Sequence, residues 1–127
     1  MDPKTEQLLG RAFNFGVEIL KFLGQLPFNK IYDIPKIQLA RAATSIGANY
    51  EESQAAESKR DFCHKIGVVC KESRECVYWL RVLIKLYSED KYSAKLNMFL
   101  SEAREFKSIF TSIKMTAEGK KRKGKNE

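Results

Sequence analysis

The sequence predicts an all-α protein, an antiparallel up-down-up-down four-helix bundle, and three observations carry that expectation. Apolar residues recur at alternating spacings of three and four along four separate segments of the 127-residue chain. The joints between these segments are short and hold helix-starting and helix-stopping residues. No strand-like alternation bounded by Asn-Gly or Asp-Gly turns occurs. Four amphipathic helices with short joints pack most simply as antiparallel neighbours.

The first helix is expected to start at Asp2, a good N-cap, with Pro3 in the first helical position, and to run to about Gln25. Two apolar stripes run along it. Leu9, Phe13, Gly16, Leu20 and Leu23 have the spacing of a bundle seam, and Leu8, Ala12, Phe15, Ile19, Phe22 and Leu26 run beside them. The seam set is expected in the core; the second stripe is surplus apolar surface. Pro27 and Asn29 end this helix, and Asp33 is the expected cap of the second, with Pro35 in its first turn.

The second helix has Leu39, Ala42, Ile46, Tyr50 and Ser53 as its core stripe. From Ile37 to Tyr50 its only charge is Arg41, in a chain that is 31% charged. Its side away from the core holds Ala40, Thr44, Gly47, Ala48 and Ala55. Small uncharged residues there point to another backbone at close range. That face, or the second stripe of the first helix, is the expected oligomer interface.

Ser58 and Asp61 form a capping arrangement that starts the third helix at Lys59. Its seam is regular: Phe62, Ile66, Val69, Ser73, Cys76, Leu80, Leu83 and Tyr87. Residues 88–93 read as a loop, with Ser93 as cap of a fourth helix that buries Leu96, Phe99, Ala103, Phe106, Phe110, Ile113 and Ala117. Gly119 is a suitable stop. The bundle domain is thus expected over residues 1–118, followed by a basic, disordered tail over 119–127.

That tail, GKKRKGKNE, accounts for +4 of the net +7. Lys120, Lys121, Arg122 and Lys123 in it serve either nucleic-acid binding or solubility; composition alone does not separate the two. The three cysteines, Cys63, Cys70 and Cys76, fall on one helix. Cys63 and Cys70 would lie about 10 Å apart there, too far for a disulfide. A reducing, cytoplasmic setting is expected. No apolar run approaches the ~20 residues of a membrane span, and the N-terminus lacks the order of a secretory signal.

Catalytic chemistry is thinly represented. His64 is the only histidine, and its neighbour Cys63 diverges from it by about 100° on a helix. The glycines are scattered singly, so no phosphate-cradling loop is present. Glutamates 51, 52, 72 and 75 lack the Glu-x-x-His pairs of di-metal bundles. No catalytic residue, metal site or cofactor is expected.

Two polar patterns remain. Arg41, Ser45, Asn49 and Glu52 form a ridge on the second helix, and antiparallel pairing puts Arg41 level with Glu72 and Glu75. This reads as a ligand pocket or, preferably, as a structural network that fixes register. On the third helix Arg60, His64, Gly67, Lys71, Arg74, Tyr78, Arg81 and Lys85 lie roughly opposite the seam. Lys71, Arg74, Tyr78, Arg81 and Lys85 could follow a phosphate backbone, or form a solvated face.

The runs SIGANYEESQAAESKRDF and HKIGVVCKESRECVYWLRVL resemble the bacterial four-helix-bundle family that includes proteins encoded within intervening sequences of 23S ribosomal RNA genes. The accessory variability protein of diversity-generating retroelements is a related branch. The family pattern falls on Gln38, Arg41-Ala42, Ser45-Ile46, Asn49 and Glu52, then on Lys71-Glu72, Glu75 and Tyr78-Trp79-Leu80. Glu52-Ser53 and Glu72-Ser73 stand where many members have Glu-Gly and Gly-Ser, which marks a separate branch. The resemblance implies a ring-like homopentamer without known enzymatic activity. It also implies RNA or DNA as a partner, with a reverse transcriptase or a ribosome-linked protein as further partners. Together these readings predict a non-catalytic oligomeric accessory protein that binds nucleic acid, or else a protein-protein adaptor with no nucleic-acid role.

Overall fold

In the computed structural model, which describes residues 1–120, the chain forms helices α1 (Pro3–Gln25), α2 (Asp33–Ser53), α3 (Lys59–Leu86) and α4 (Asp90–Ala117). Three of the eight ends are fixed by devices legible in sequence. The Asp2 carboxylate accepts the Lys4 N–H, and Pro3 opens α1. Ser58 Oγ accepts the Asp61 N–H at 3.0 Å, while Asp61 accepts the Glu57 N–H at 3.1 Å. At the end of α4, Gly119 takes φ +77°, and the Lys120 and Gly119 amides return to the carbonyls of Met115 and Thr116.

Two starts differ from expectation. Asp33 lies inside α2 and does not cap it; the Asn29 side chain accepts the Ile31 and Tyr32 amides at 3.0 Å instead, pre-forming the turn that enters the helix. Helix α4 begins at Asp90, before Ser93, because Tyr92 packs edge-on against Phe22 and Tyr87 and draws the first turn into the bundle.

Antiparallel order follows from which residues meet. Ala12 and Gly16 of α1 touch Gly47 and Thr44 of α2, Arg41 of α2 meets Glu72 and Glu75 of α3, and Gly67 of α3 meets Lys114 of α4. Backbones come close between α1 and α2, α2 and α3, and α3 and α4. Helices α1 and α4 instead meet through long side chains. Phe15 lies edge-on to Phe106 at 5.2 Å and Phe22 to Phe99 at 5.6 Å. Arg11 reaches Glu102 at 2.7 Å and Glu105 at 2.9 Å, with its guanidinium over the Phe106 ring. These carboxylates, Glu102 foremost, raise the Arg11 pKa despite its partial burial.

The expected seams of α2, α3 and α4 are inside, with Leu80 and Phe106 fully buried and Phe62, Ile113 and Ala117 half-buried. The expected seam of α1 is not. Phe13 is 58% exposed and Leu20 48%, whereas Ala12, Phe15, Ile19, Phe22 and Leu26 are buried. The two stripes of α1 have exchanged roles, with Leu9 and Leu23 half-buried between them. The cause is the α1–α2 crossing. A Cβ on Gly47 would lie 3.3 Å from the Ala12 carbonyl group, and one on Gly16 would lie 3.3 Å from the Thr44 Cα. Ala12 and Gly16 are therefore turned toward α2, and Phe13 and Leu20, about 80–100° further round the helix from Ala12, point away from the core.

The polar ridge of α2 divides. The Arg41 guanidinium bonds the buried Glu72 carboxylate at 3.2 Å and also Glu75, joining α2 to α3. Partial burial alone would lower the Arg41 pKa, but Glu75 and Glu72 outweigh it and raise it. Ser45 and Asn49 only donate back to the carbonyls of Arg41 and Ser45 within their own helix, at 2.7 and 2.9 Å, and Glu52 is exposed. The network is thus one arginine and two glutamates. At the opposite end, buried Lys36 donates to the Pro27 carbonyl at 3.0 Å, pairs with Asp33 and lies over the Tyr87 ring. This ties the α1–α2 connection to the end of α3.

Two stability measurements check this packing by chemical denaturation. Gly10, whose added Cβ would meet nothing within 4 Å, should gain about 0.5–1 kcal/mol as Gly10→Ala through helix propensity. Gly47→Leu should lose about 1–3 kcal/mol through overpacking against the α1 backbone; equal effects at the two sites would deny the close crossing. In a double-mutant cycle, Arg41→Met and Glu72→Gln should couple by about 1–2 kcal/mol. Additive losses would mean that the pair does not hold α2 on α3.

Candidate nucleic-acid interface and assembly face

Helix α3 is flanked by α2 and α4, and its fourth side faces solvent. Lys71, Arg74, Tyr78, Arg81 and Lys85 are all exposed there. Among the described residues Arg74, Arg81 and Lys85 make no ion pair, and Lys71 has only a 3.7 Å approach to Glu75, which is already bound by Arg41. Tyr78 lies edge-on against the half-buried Trp79, its ring centroid 4.9 Å away. Hydrated cations with no carboxylate to displace are suited to contacting phosphates.

Toward its start, α3 lies beside the end of α4. The absent side chain of Gly67 lets the Lys114 stem cross the α3 backbone, since a Cβ there would sit 3.3 Å from Lys114 Cε. Lys114 and Lys120 hold Glu118 between them at 3.3 and 3.4 Å. Burial would raise the Glu118 pKa, but the two lysines outweigh it and the carboxyl stays below its usual range. Sequence reasoning misses Lys114 and Glu118 as members of this surface because they come from another helix; the antiparallel register of α3 and α4 is the signal that finds them. Lys120 is exposed, while Lys121, Arg122 and Lys123 lie outside the described residues.

On the α1–α2 side the surface is apolar. Phe13 and Leu20 of α1 and Thr44 and Ala48 of α2 line an open groove of about 380 Å³, and Ile37, Ala40 and Phe28 continue it toward the α1–α2 connection. Of the five small residues expected on this face, Thr44, Ala48 and Ala55 are off the core and Ala40 is half-buried. Gly47 is a correction: it is buried against α1 of the same chain, so that crossing accounts for its small size. The second stripe of α1, offered as an alternative interface, is likewise core, and Phe13 and Leu20 take its place outside.

Groups suited to covalent or metal chemistry are dispersed. Burial raises the thiol pKa of both Cys70 and Cys76, and Cys63 is half-buried. Among the described residues no three His, Cys, Asp or Glu side chains converge on a metal-sized site, and no helix is long and apolar enough to cross a membrane. A groove of about 710 Å³ between α1 and α4 has Phe15 and Phe99 in its lining, and its one cation, Arg11, is already held by Glu102.

Comparison with known proteins agrees with the bundle. No curated protein matches the chain. A crystal structure of a protein with unknown function from the S23 ribosomal protein family of Bacteroides thetaiotaomicron superposes with a TM-score of 0.73 at 27% identity, covering 87% of this chain and 97% of that one. The sequence profile of the 23S rRNA-intervening sequence protein family matches residues 4–112, the whole bundle apart from the chain start and the last turn of α4. The chain belongs to the 23S rRNA-intervening sequence protein family.

Proposed function

We propose that this chain is a non-catalytic accessory protein of the cytoplasm that self-associates through the α1–α2 face and binds RNA or DNA through α3. The observation that supports this reading is the segregation of its surface. The exposed large apolar residues Phe13 and Leu20 lie on α1, and the unpaired cations Arg74, Arg81 and Lys85 lie on α3, which sits diagonally across the bundle. Burying the first face in an assembly leaves the second outside, repeated on every copy. Weak phosphate contacts then add through avidity. The ring of five copies comes from the family resemblance. A reverse transcriptase or ribosome-linked protein would be a further partner.

A protein-adaptor reading without nucleic acid is favoured by the end of the apolar α1–α2 groove nearest the α1–α2 connection. Phe28, 84% exposed, stands with Ile31, Ile34 and Ile37 at the α1–α2 connection, an apolar patch that cations on α3 do not explain.

Light scattering tests the assembly. The native chain should have a mass of about five protomers, and Phe13→Glu with Leu20→Glu should give a folded monomer, because both side chains are already exposed within the protomer. A native monomer at tens of micromolar rejects the assembly. Fluorescence anisotropy with a labelled single-stranded RNA tests the second face. Neutralising Arg74, Arg81 and Lys85 to Gln should flatten the log–log salt slope by about 2 units, since each phosphate left without its cation is worth ~0.7. No binding by the native chain at low salt would favour the adaptor.

A further inference from the structure

The stripe on α3 is not uniform: at Gly67 it carries a notch. A depression of about 410 Å³ there is lined by Arg60, His64, Gly67 and Lys71 from α3, by Lys114 from α4 and by Glu118 at its C-terminal cap. A second, of about 200 Å³, adjoins it across Gly67 and the Lys114 stem and reaches Arg74. Further along the stripe Arg81 and Lys85 are exposed on the outer side of α3. At the notch two helices form walls, and cationic side chains from both line a hollow large enough for a phosphate group.

We propose that the Gly67 notch is a phosphodiester seat, in which one backbone phosphate of a bound nucleic acid lies between Lys71 and Lys114. Glu118 acts there as an internal competitor. Its carboxylate already occupies an anion's place between Lys114 and Lys120, so an incoming phosphate must take Lys114 from it. The notch depends on residue 67 being Gly. A larger side chain would fill the hollow and push the Lys114 stem aside, without altering any charge. This seat rests on the nucleic-acid reading of α3 and adds a defined subsite to it. It differs from a plain charged face in one respect: its affinity responds to shape as well as to charge.

The distinction is measurable on the full-length protein by anisotropy with a labelled single-stranded RNA at low salt. Inorganic pyrophosphate as competitor tests whether phosphate alone is recognised. Gly67→Leu keeps every charge, and leucine's helix propensity favours α3. It should weaken RNA binding at least threefold, remove about 0.7 from the salt slope and abolish competition by pyrophosphate. Glu118→Gln should strengthen binding at least twofold. An unchanged affinity in either variant overturns the seat. If Gly67→Leu loses its helical circular dichroism or its native mass, Glu118→Gln decides alone. Gln at Arg74, Arg81 and Lys85 is the reference: if that variant loses binding while Gly67→Leu does not, the α3 face binds phosphates as a plain charged surface and only the seat falls. If none of the variants changes binding, the nucleic-acid reading of α3 falls with it.

Discussion

The close crossing of α1 and α2 sets the geometry of everything else in this protein. Two glycines, one on each helix, bring the backbones within van der Waals range, Gly47 against Ala12 and Gly16 against Thr44. Such an approach leaves a helix little freedom to rotate about its axis, because turning it would drive a side chain into the neighbouring backbone. Once α1 is set in rotation, Phe15, Ile19 and Phe22 must enter the core and Phe13 and Leu20 must leave it. The apolar outer face is therefore a consequence of the same glycines that close the protomer.

The remaining interactions take their places around that crossing. With α1 held tightly to α2, its separation from α4 is bridged by large residues, which explains the aromatic chain from Tyr92 through Phe22, Phe99 and Phe15 to Phe106. The Arg11 pairs with Glu102 and Glu105 close the same gap at the surface. Between α2 and α3, Arg41 plays the corresponding part near the middle of the bundle. Glu72 is nearly buried and would be costly without a cation, so the pair disfavours a slipped register more than it adds net stability. Every buried side-chain polar atom among the described residues has a hydrogen-bond partner. Ser53 and Ser73 achieve this by donating to carbonyls of their own helices.

A division of labour between faces would suit the assembly and nucleic-acid binding proposed for this protein. Apolar side chains that are exposed in the protomer are usually costly to leave in water, and here Phe13 and Leu20 share the α1–α2 side with Phe28 and Ile37. Arg74, Arg81 and Lys85, exposed and outside the ion pairs among the described residues, line another. Neither cluster contributes to the core, so each is free to be specified by what it meets outside the protomer. The notch at Gly67 belongs to the second cluster but depends on packing, since it exists only where α4 crosses a residue with no side chain.

The four helices, three of their eight ends and the inner faces of α2, α3 and α4 are all legible in the order of residues. Those properties arise from neighbours along the chain: a capping hydroxyl at Ser58, a left-handed glycine at residue 119, and an apolar period with one stripe to bury. The pairing of Arg41 with Glu72 and Glu75 is legible too, because a short joint at Ser58 fixes the antiparallel register by counting. What periodicity leaves degenerate is resolved only by packing. Helix α1 has two stripes of equal quality, and the Gly16 and Gly47 approaches select between them. Gly47 looks like a site for a second chain because a sequence cannot say whose backbone is near. Lys114 and Glu118 join the basic face for the same reason. Their place beside Gly67 is set by how α3 and α4 pack, a relation between segments more than forty residues apart that no local pattern records.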